Sequence, residues 1–112
     1  MKRIQAIIRP SVLEELKEVL FEMNHCGLTI SQVMGCGSQK GWTEYYRGTT
    51  VYMNVIAKVQ ISIVAPEEKV EDIINAIIKV ARSGEIGDGK IFVTNVERVI
   101  KIRTGEEGRD AL

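Results

Sequence analysis

Lys58-Val59-Gln60-Ile61-Ser62-Ile63-Val64-Ala65-Pro66 ends one periodicity and opens another, and that change points to the fold. Val59, Ile61 and Ile63 alternate with Lys58, Gln60 and Ser62, the period of two that marks a strand with one apolar and one wet face. Pro66 then starts a helix in which Val70, Ile73, Ile74, Ile77 and Ala81 recur at helical spacing and turn inward. The upstream sequence has the same order. Ile4, Ala6 and Ile8 share one face of a strand over residues 2–9, against Arg3 and Gln5 on the other. Pro10 and Ser11 open a helix, and Ser11 with Glu14 has the spacing of a capping box. Val12, Leu13, Leu16, Val19, Leu20 and Met23 form its buried stripe, and Gly27 is read as its terminator.

Leu28 to Gly35 reads as a second strand, and Lys90 to Ile102 as a last one broken near Asn95. The chain is therefore β-α-β, a gap, then β-α-β. Two helices on one face of an antiparallel sheet make an α+β, ferredoxin-like β-α-β-β-α-β sandwich, a single domain over residues 1–112. That architecture hosts many functions and names none.

Composition narrows the classes. Lys+Arg and Asp+Glu number 15 each, so a net charge of zero argues against broad electrostatic capture of nucleic acid or an acidic membrane. No apolar run approaches a signal peptide or a membrane span, and the simplest location is cytoplasmic. Cys26 and Cys36 fit neither a CxxC site nor a disulfide framework and read as reduced structural residues. His25 beside Cys26 cannot complete a tetrahedral metal site and is expected at a helix C-terminus, where a cation is favoured.

Two stretches carry the chemistry. The first is Ser83-Gly84-Glu85-Ile86-Gly87-Asp88-Gly89-Lys90-Ile91-Phe92. Its glycines let the backbone curl through φ > 0 and bring main-chain N–H groups close to an anion, with Lys90 as a point charge at its mouth. It is not a Walker A loop, because Gly89-Lys90 lacks a following Ser/Thr and leads into a strand. The bland alternative is a plain Asp-Gly turn. The second stretch is the gap from residue 37 to 57, about twenty residues where a hairpin needs roughly two to five. It holds the only Trp and all three Tyr, so it is not a disordered linker and reads as a docking arm. The alternative is a pair of long strands whose aromatics merely pack.

Gly35-x-Gly37-x-Gln39-Lys40-Gly41, Thr43-Glu44-x-Tyr46-Arg47-Gly48, the run Ser83 to Val96 and the tail Arg103-Thr104-Gly105-Glu106 together resemble the PII family of nitrogen-regulatory signal proteins over nearly the full length. The resemblance implies a homotrimer with nucleotide sites in the clefts between neighbours. It implies competitive binding of ATP or ADP, and 2-oxoglutarate taken alongside Mg-ATP. The arm over residues 37–57 would be the T-loop, which docks onto target proteins such as an ammonium channel, a metabolic enzyme or a transcriptional regulator. A membrane would be reached only through such a partner. The family implies a sensor, not an enzyme, and no nucleic-acid partner.

Site residues follow from the same resemblance. In a phosphate-binding loop over residues 82–90, Gly87, Asp88, Gly89 and Lys90 would hold the phosphates, joined by Lys101 and Arg103 of the C-terminal segment 101–112. Lys101 and Arg103, two apart on an extended segment, would project to one face. Ile7, Thr29, Gly35, Gly37 and Val64 would line the adenine and ribose side. Gln39 would complete the Mg shell, and Lys58 would pair with a carboxylate of 2-oxoglutarate, flanked by Lys40, Gly41, Ile86 and Gly87. Tyr46, Arg47, Gly48, Val51 and Tyr52 would dock the partner.

Three departures from the family pattern bear on function. Ser38 stands where an arginine often contacts the terminal phosphate, and Lys101 where arginine is common. Val51 fills the usual place of a modifiable tyrosine and has no nucleophile, so control by uridylylation is not expected. These departures keep open a PII-like regulator of another pathway that answers to ATP and ADP but has lost 2-oxoglutarate sensing. An RNA-binding module would display stacking aromatics on its central strands, and a phosphoryl-transfer enzyme would need a positioned base and an acidic metal cage. Neither pattern is present in the sequence.

Overall fold

A computed structural model of the protein describes residues 1–25, 27–36, 42–46, 49–53 and 55–112, with the backbone alone for 42–46 and 49–53. Strand β1 (Lys2–Ile8) leads through a 3-10 turn at Pro10–Val12 into helix α1 (Leu13–Glu22) and then strand β2 (Leu28–Gly35). Strands β3 (Trp42–Tyr46) and β4 (Thr49–Met53) follow, then β5 (Ile56–Ala65), helix α2 (Val70–Ala81) and strand β6 (Lys90–Asn95). The main sheet has the order β2-β5-β1-β6 with every neighbour antiparallel, the split arrangement of a ferredoxin-like domain.

Register explains the core. Ile4 lies opposite Ile63 and Val93, and Ala6 opposite Ile61 and Ile91, so one face of the sheet is apolar across its central strands. Ile4, Ala6, Ile8, Val59, Ile61, Ile63 and Ala65 are buried there against Leu16 and Leu20 of α1 and Val70, Ile73, Ile77 and Ala81 of α2. Among the described residues no polar or charged residue is buried. Ile61, at 0% exposure, sits in the middle of this layer. Ile61→Ala is expected to cost about 2–5 kcal/mol of unfolding free energy in a urea titration, through lost burial and the cavity left behind.

The element ends depart from the sequence reading in several places. The residue capping the first 3-10 turn is Arg9, with Pro10 in the first turn, so Ser11 lies inside the turn and makes no side-chain cap. Helix α1 stops well before Gly27. Asn24, at φ 63, turns the chain left-handed; its N–H donates to Phe21 O and that of His25 to Leu20 O, both at 2.9 Å. This is a Schellman closure with asparagine doing what a glycine usually does, and it leaves His25 just past the helix end as expected. Cys26 lies outside the described residues.

The final strand is shorter than read. After Asn95 the chain leaves the sheet. Ile100 then bridges Glu107, Lys101 N–H donates to Glu106 O and Gly105 N–H to Lys101 O, both at 2.8 Å, and Ile102 to Thr104 form a turn. Lys101 and Arg103 therefore do not share one face of an extended segment. The gap is also shorter than 37–57, because Ile56 and Ala57 already belong to β5. Within it β3 and β4 pair antiparallel from Trp42↔Met53 to Tyr46↔Thr49, a ribbon separate from the main sheet. The backbone thus matches the paired-strand alternative; the packing of its aromatics lies outside what is described.

Candidate functional site

The glycine loop spans the turn from the end of α2 to the start of β6. Gly84, Gly87 and Gly89 have φ of 88, 103 and 100°, a region that side chains disfavour. Gly89 is constrained twice over: a Cβ there would lie 1.7 Å from the carbonyl oxygen of Ile7. Only a glycine lets the loop approach β1 this closely.

An ion pair that the sequence reading did not find fastens the loop. Arg9, just past β1, pairs through Nη1 with Asp88 Oδ1, and the same nitrogen donates to Ser83 Oγ at 3.2 Å. Its Nη2 donates to the Ile86 carbonyl at 2.7 Å. Asp88 Oδ2 accepts the Ser83 and Gly84 amides, each at 2.9 Å, and Oδ1 also accepts the Ser83 hydroxyl. Hydrogen bonds from the Ser83 hydroxyl and amide, supported by Arg9 and the Gly84 amide, hold the Asp88 carboxyl well below the usual carboxylate range. From the other side, Lys58 Nζ of β5 donates to Gly87 O at 2.8 Å.

Beside this loop opens a cleft of about 620 Å³, lined by Ile7, Gly35, Cys36, Ile56, Lys58, Phe92 and the loop residues Glu85 to Lys90. The fold therefore gathers Ile7, Gly35, Lys58, Ile86, Gly87, Asp88, Gly89 and Lys90 from stretches far apart in the chain. Ile7 and Lys90 are register partners, and Gly35 pairs with Ile56 two residues before Lys58, which brings all four strands of the main sheet to the cleft. The loop also borders an apolar groove of about 410 Å³ between α2 and β6.

Other expected site residues do not join the cleft of their own chain. Thr29 pairs with Ser62 and Val64 with Arg3, further along the sheet, while Lys101 and Arg103 sit in the turn after β6. Gly37, Ser38, Gln39, Lys40, Gly41, Arg47 and Gly48 lie outside the described residues. In the ribbon, Val51 pairs with Glu44 and Tyr52 with Thr43, so these neighbours occupy opposite faces of β4.

Sequence reasoning missed Arg9, Cys36, Ile56, Glu85 and Phe92, and did not give Ser83 its own role. Arg9 carried a weak signal, as a charged residue closing an apolar alternation just before Pro10. Nothing local linked it to a loop 79 residues away. Among the described residues no helix is long and apolar enough to cross a membrane.

A four-stranded antiparallel sheet backed by two helices, with a glycine loop closed over one end and a ribbon between the second and third sheet strands, defines a ferredoxin-like α+β domain. The profile of the family described as Nitrogen regulatory protein P-II matches residues 1–106. The Nitrogen regulatory protein P-II of Rhizobium meliloti is 50% identical and that of Haemophilus influenzae 49%, each over 112 residues covering both chains entirely. Nitrogen regulatory protein P-II 1 of Escherichia coli K12 is 48% identical over the same full length. The chain belongs to the P-II nitrogen regulatory protein family.

Proposed function

We propose that the protein is a cytoplasmic sensor of nitrogen and energy status: it binds ATP or ADP competitively, takes 2-oxoglutarate with Mg-ATP, and signals through the T-loop. The observation that carries this reading is the meeting of Ile7, Lys58 and the glycine loop around one cleft. Phosphates would lie along Gly87 to Lys90, where positive-φ glycines allow close main-chain approach and Lys90 adds charge. Ile7 would give the nucleotide an apolar wall. Magnesium draws much of its shell from phosphate oxygens; here Gln39 would add an amide oxygen. The Asp88 carboxylate already accepts from Arg9, Ser83 and Gly84 and suits a scaffold better than a metal ligand.

The reading assigns Thr29, Val64, Lys101 and Arg103 to the cleft of a neighbouring subunit, which makes each nucleotide site a product of the homotrimer. Ile30, Met34, Phe92 and Val93 are exposed on the two edge strands, which supports association of copies there. The T-loop would then present Tyr46, Arg47, Gly48, Val51 and Tyr52 to a target, such as an ammonium channel, an enzyme or a regulator. Ligand at its root would bias its conformation without covalent chemistry. Ser38 favours a second reading, a regulator of another pathway that responds to ATP and ADP alone, because a serine offers no cation to a terminal phosphate.

Calorimetry with ADP, with ATP, and with 2-oxoglutarate in the presence of Mg-ATP tests both readings. Binding in all three titrations supports the first, and nucleotide binding without 2-oxoglutarate supports the second. Lys58→Ala is expected to remove 2-oxoglutarate binding and largely spare ATP, since a lost charge-assisted pair costs roughly 1.5–3 kcal/mol. Unchanged 2-oxoglutarate affinity in that variant rules out Lys58 as the carboxylate partner.

A further inference from the structure

We infer that Arg9 is a positioning residue, one that aims the Gly87 amide into the cleft and so gives the glycine loop its affinity for an anion. The inference rests on the nucleotide-binding reading of that cleft. Arg9 does not line the cleft, whereas Ile86 and Gly87 both do. Its Nη2 donates to the Ile86 carbonyl at 2.7 Å and so holds that oxygen toward the guanidinium. In a planar trans peptide the next N–H points opposite the carbonyl. The Gly87 N–H is therefore directed away from Arg9.

The remaining contacts fix the same geometry. Asp88, bound to Arg9, ties the loop's end back to its beginning through the Ser83 and Gly84 amides. Gly87 stands at the end of the arch this tie leaves, where it opens the stretch Gly87 to Lys90 that would meet the phosphates. Lys58 holds the Gly87 carbonyl at 2.8 Å, which orients the peptide after Gly87, whereas the peptide that carries the Gly87 N–H is held by Arg9 alone of these two cations. Donors fixed before an anion arrives bind it more tightly than donors that must first be ordered. A planar fork reaching Asp88 and Ile86 together is a task for arginine, and a lysine reaches only one of them at a time.

The test uses the full chain and ADP as probe. Arg9→Gln, checked by circular dichroism for a native spectrum, is expected to bind ADP about tenfold or more weakly by calorimetry. Arg9→Lys, which keeps the charge and secures a folded comparison, is expected to fall between that variant and the parent. Nuclear magnetic resonance supplies a readout that a merely structural role would not move: the shift of the Gly87 amide on adding ADP, present in the parent and lost in Arg9→Gln. ADP affinity equal to the parent's in both variants overturns the inference. So does weaker binding with the Gly87 response intact. A parent chain that binds no ADP overturns the reading of the cleft and the inference with it, whereas a parent that binds while the variants match it overturns the inference alone.

Discussion

Gly89→Ala is expected to abolish the ADP binding proposed for the cleft and to lower the stability of the whole domain. The added Cβ would meet the Ile7 carbonyl oxygen at 1.7 Å, its carbon at 2.8 Å and Ile8 Cα at 3.4 Å. All three are backbone atoms of β1, which is hydrogen-bonded to β5 on one side and β6 on the other, so no flexible side chain can swing aside. A φ of 100° adds a strain of its own in an L residue. Together these cost at least ~2–3 kcal/mol, or force the loop off the sheet and dismantle the cleft. Gly84→Ala is the matched control. Its φ of 88° is also disfavoured, but nothing lies within 4 Å of the added carbon, so about 1 kcal/mol is expected. Urea unfolding and ADP calorimetry on the two variants decide the matter. A Gly89→Ala protein that unfolds at the parent's midpoint and binds ADP as the parent does would show that the close approach to β1 is not required.

Deleting Thr43 to Asn54 is expected to leave a folded protein that keeps the proposed ADP binding but loses any target that the full chain captures. The excised strands β3 and β4 form a sheet of their own and pair with none of the four strands that bury the core. An isolated two-stranded ribbon is marginally stable in water, so the domain loses little by its removal. The ribbon's sequence contains Tyr45, Tyr46 and Tyr52, residues of the type that anchor interfaces. Pull-down from cell extract with the full chain and with the deletion checks the docking role. Hydrogen exchange across residues 43–54 in the ADP and Mg-ATP forms checks the link to nucleotide. Capture unchanged by deletion, with identical protection in both forms, would remove the arm from the mechanism.

Much of the fold was legible because its signals are local. The alternation around Ile61 and the helical stripe after Pro66 are periods within the chain, and they placed β5 and α2 without knowledge of their partners. Leu28–Gly35 was read with the bounds that β2 has. Local signals failed where two residues compete for one role. Asn24 ends α1 although Gly27 has the lower cost for a left-handed backbone, because the hydrogen bonds to Leu20 and Phe21 close the helix first. Lys101 and Arg103 have strand spacing, but the bridge from Ile100 to Glu107 folds their segment into a turn.

The candidate site divides in the same way. Residue types and order by themselves established the family pattern, the glycine loop, and Lys58 at the root of the long excursion. Tertiary structure alone decided that Arg9, 79 residues from Asp88, clamps the loop, and that the Asp88 carboxylate faces its own loop. It also decided that Gly89 is obligatory where Gly84 has open space beside it. Periodicity is carried by neighbours along the chain. Which guanidinium reaches which carboxylate depends on strand order and register, and these form only when the apolar faces of both β-α-β halves are buried together.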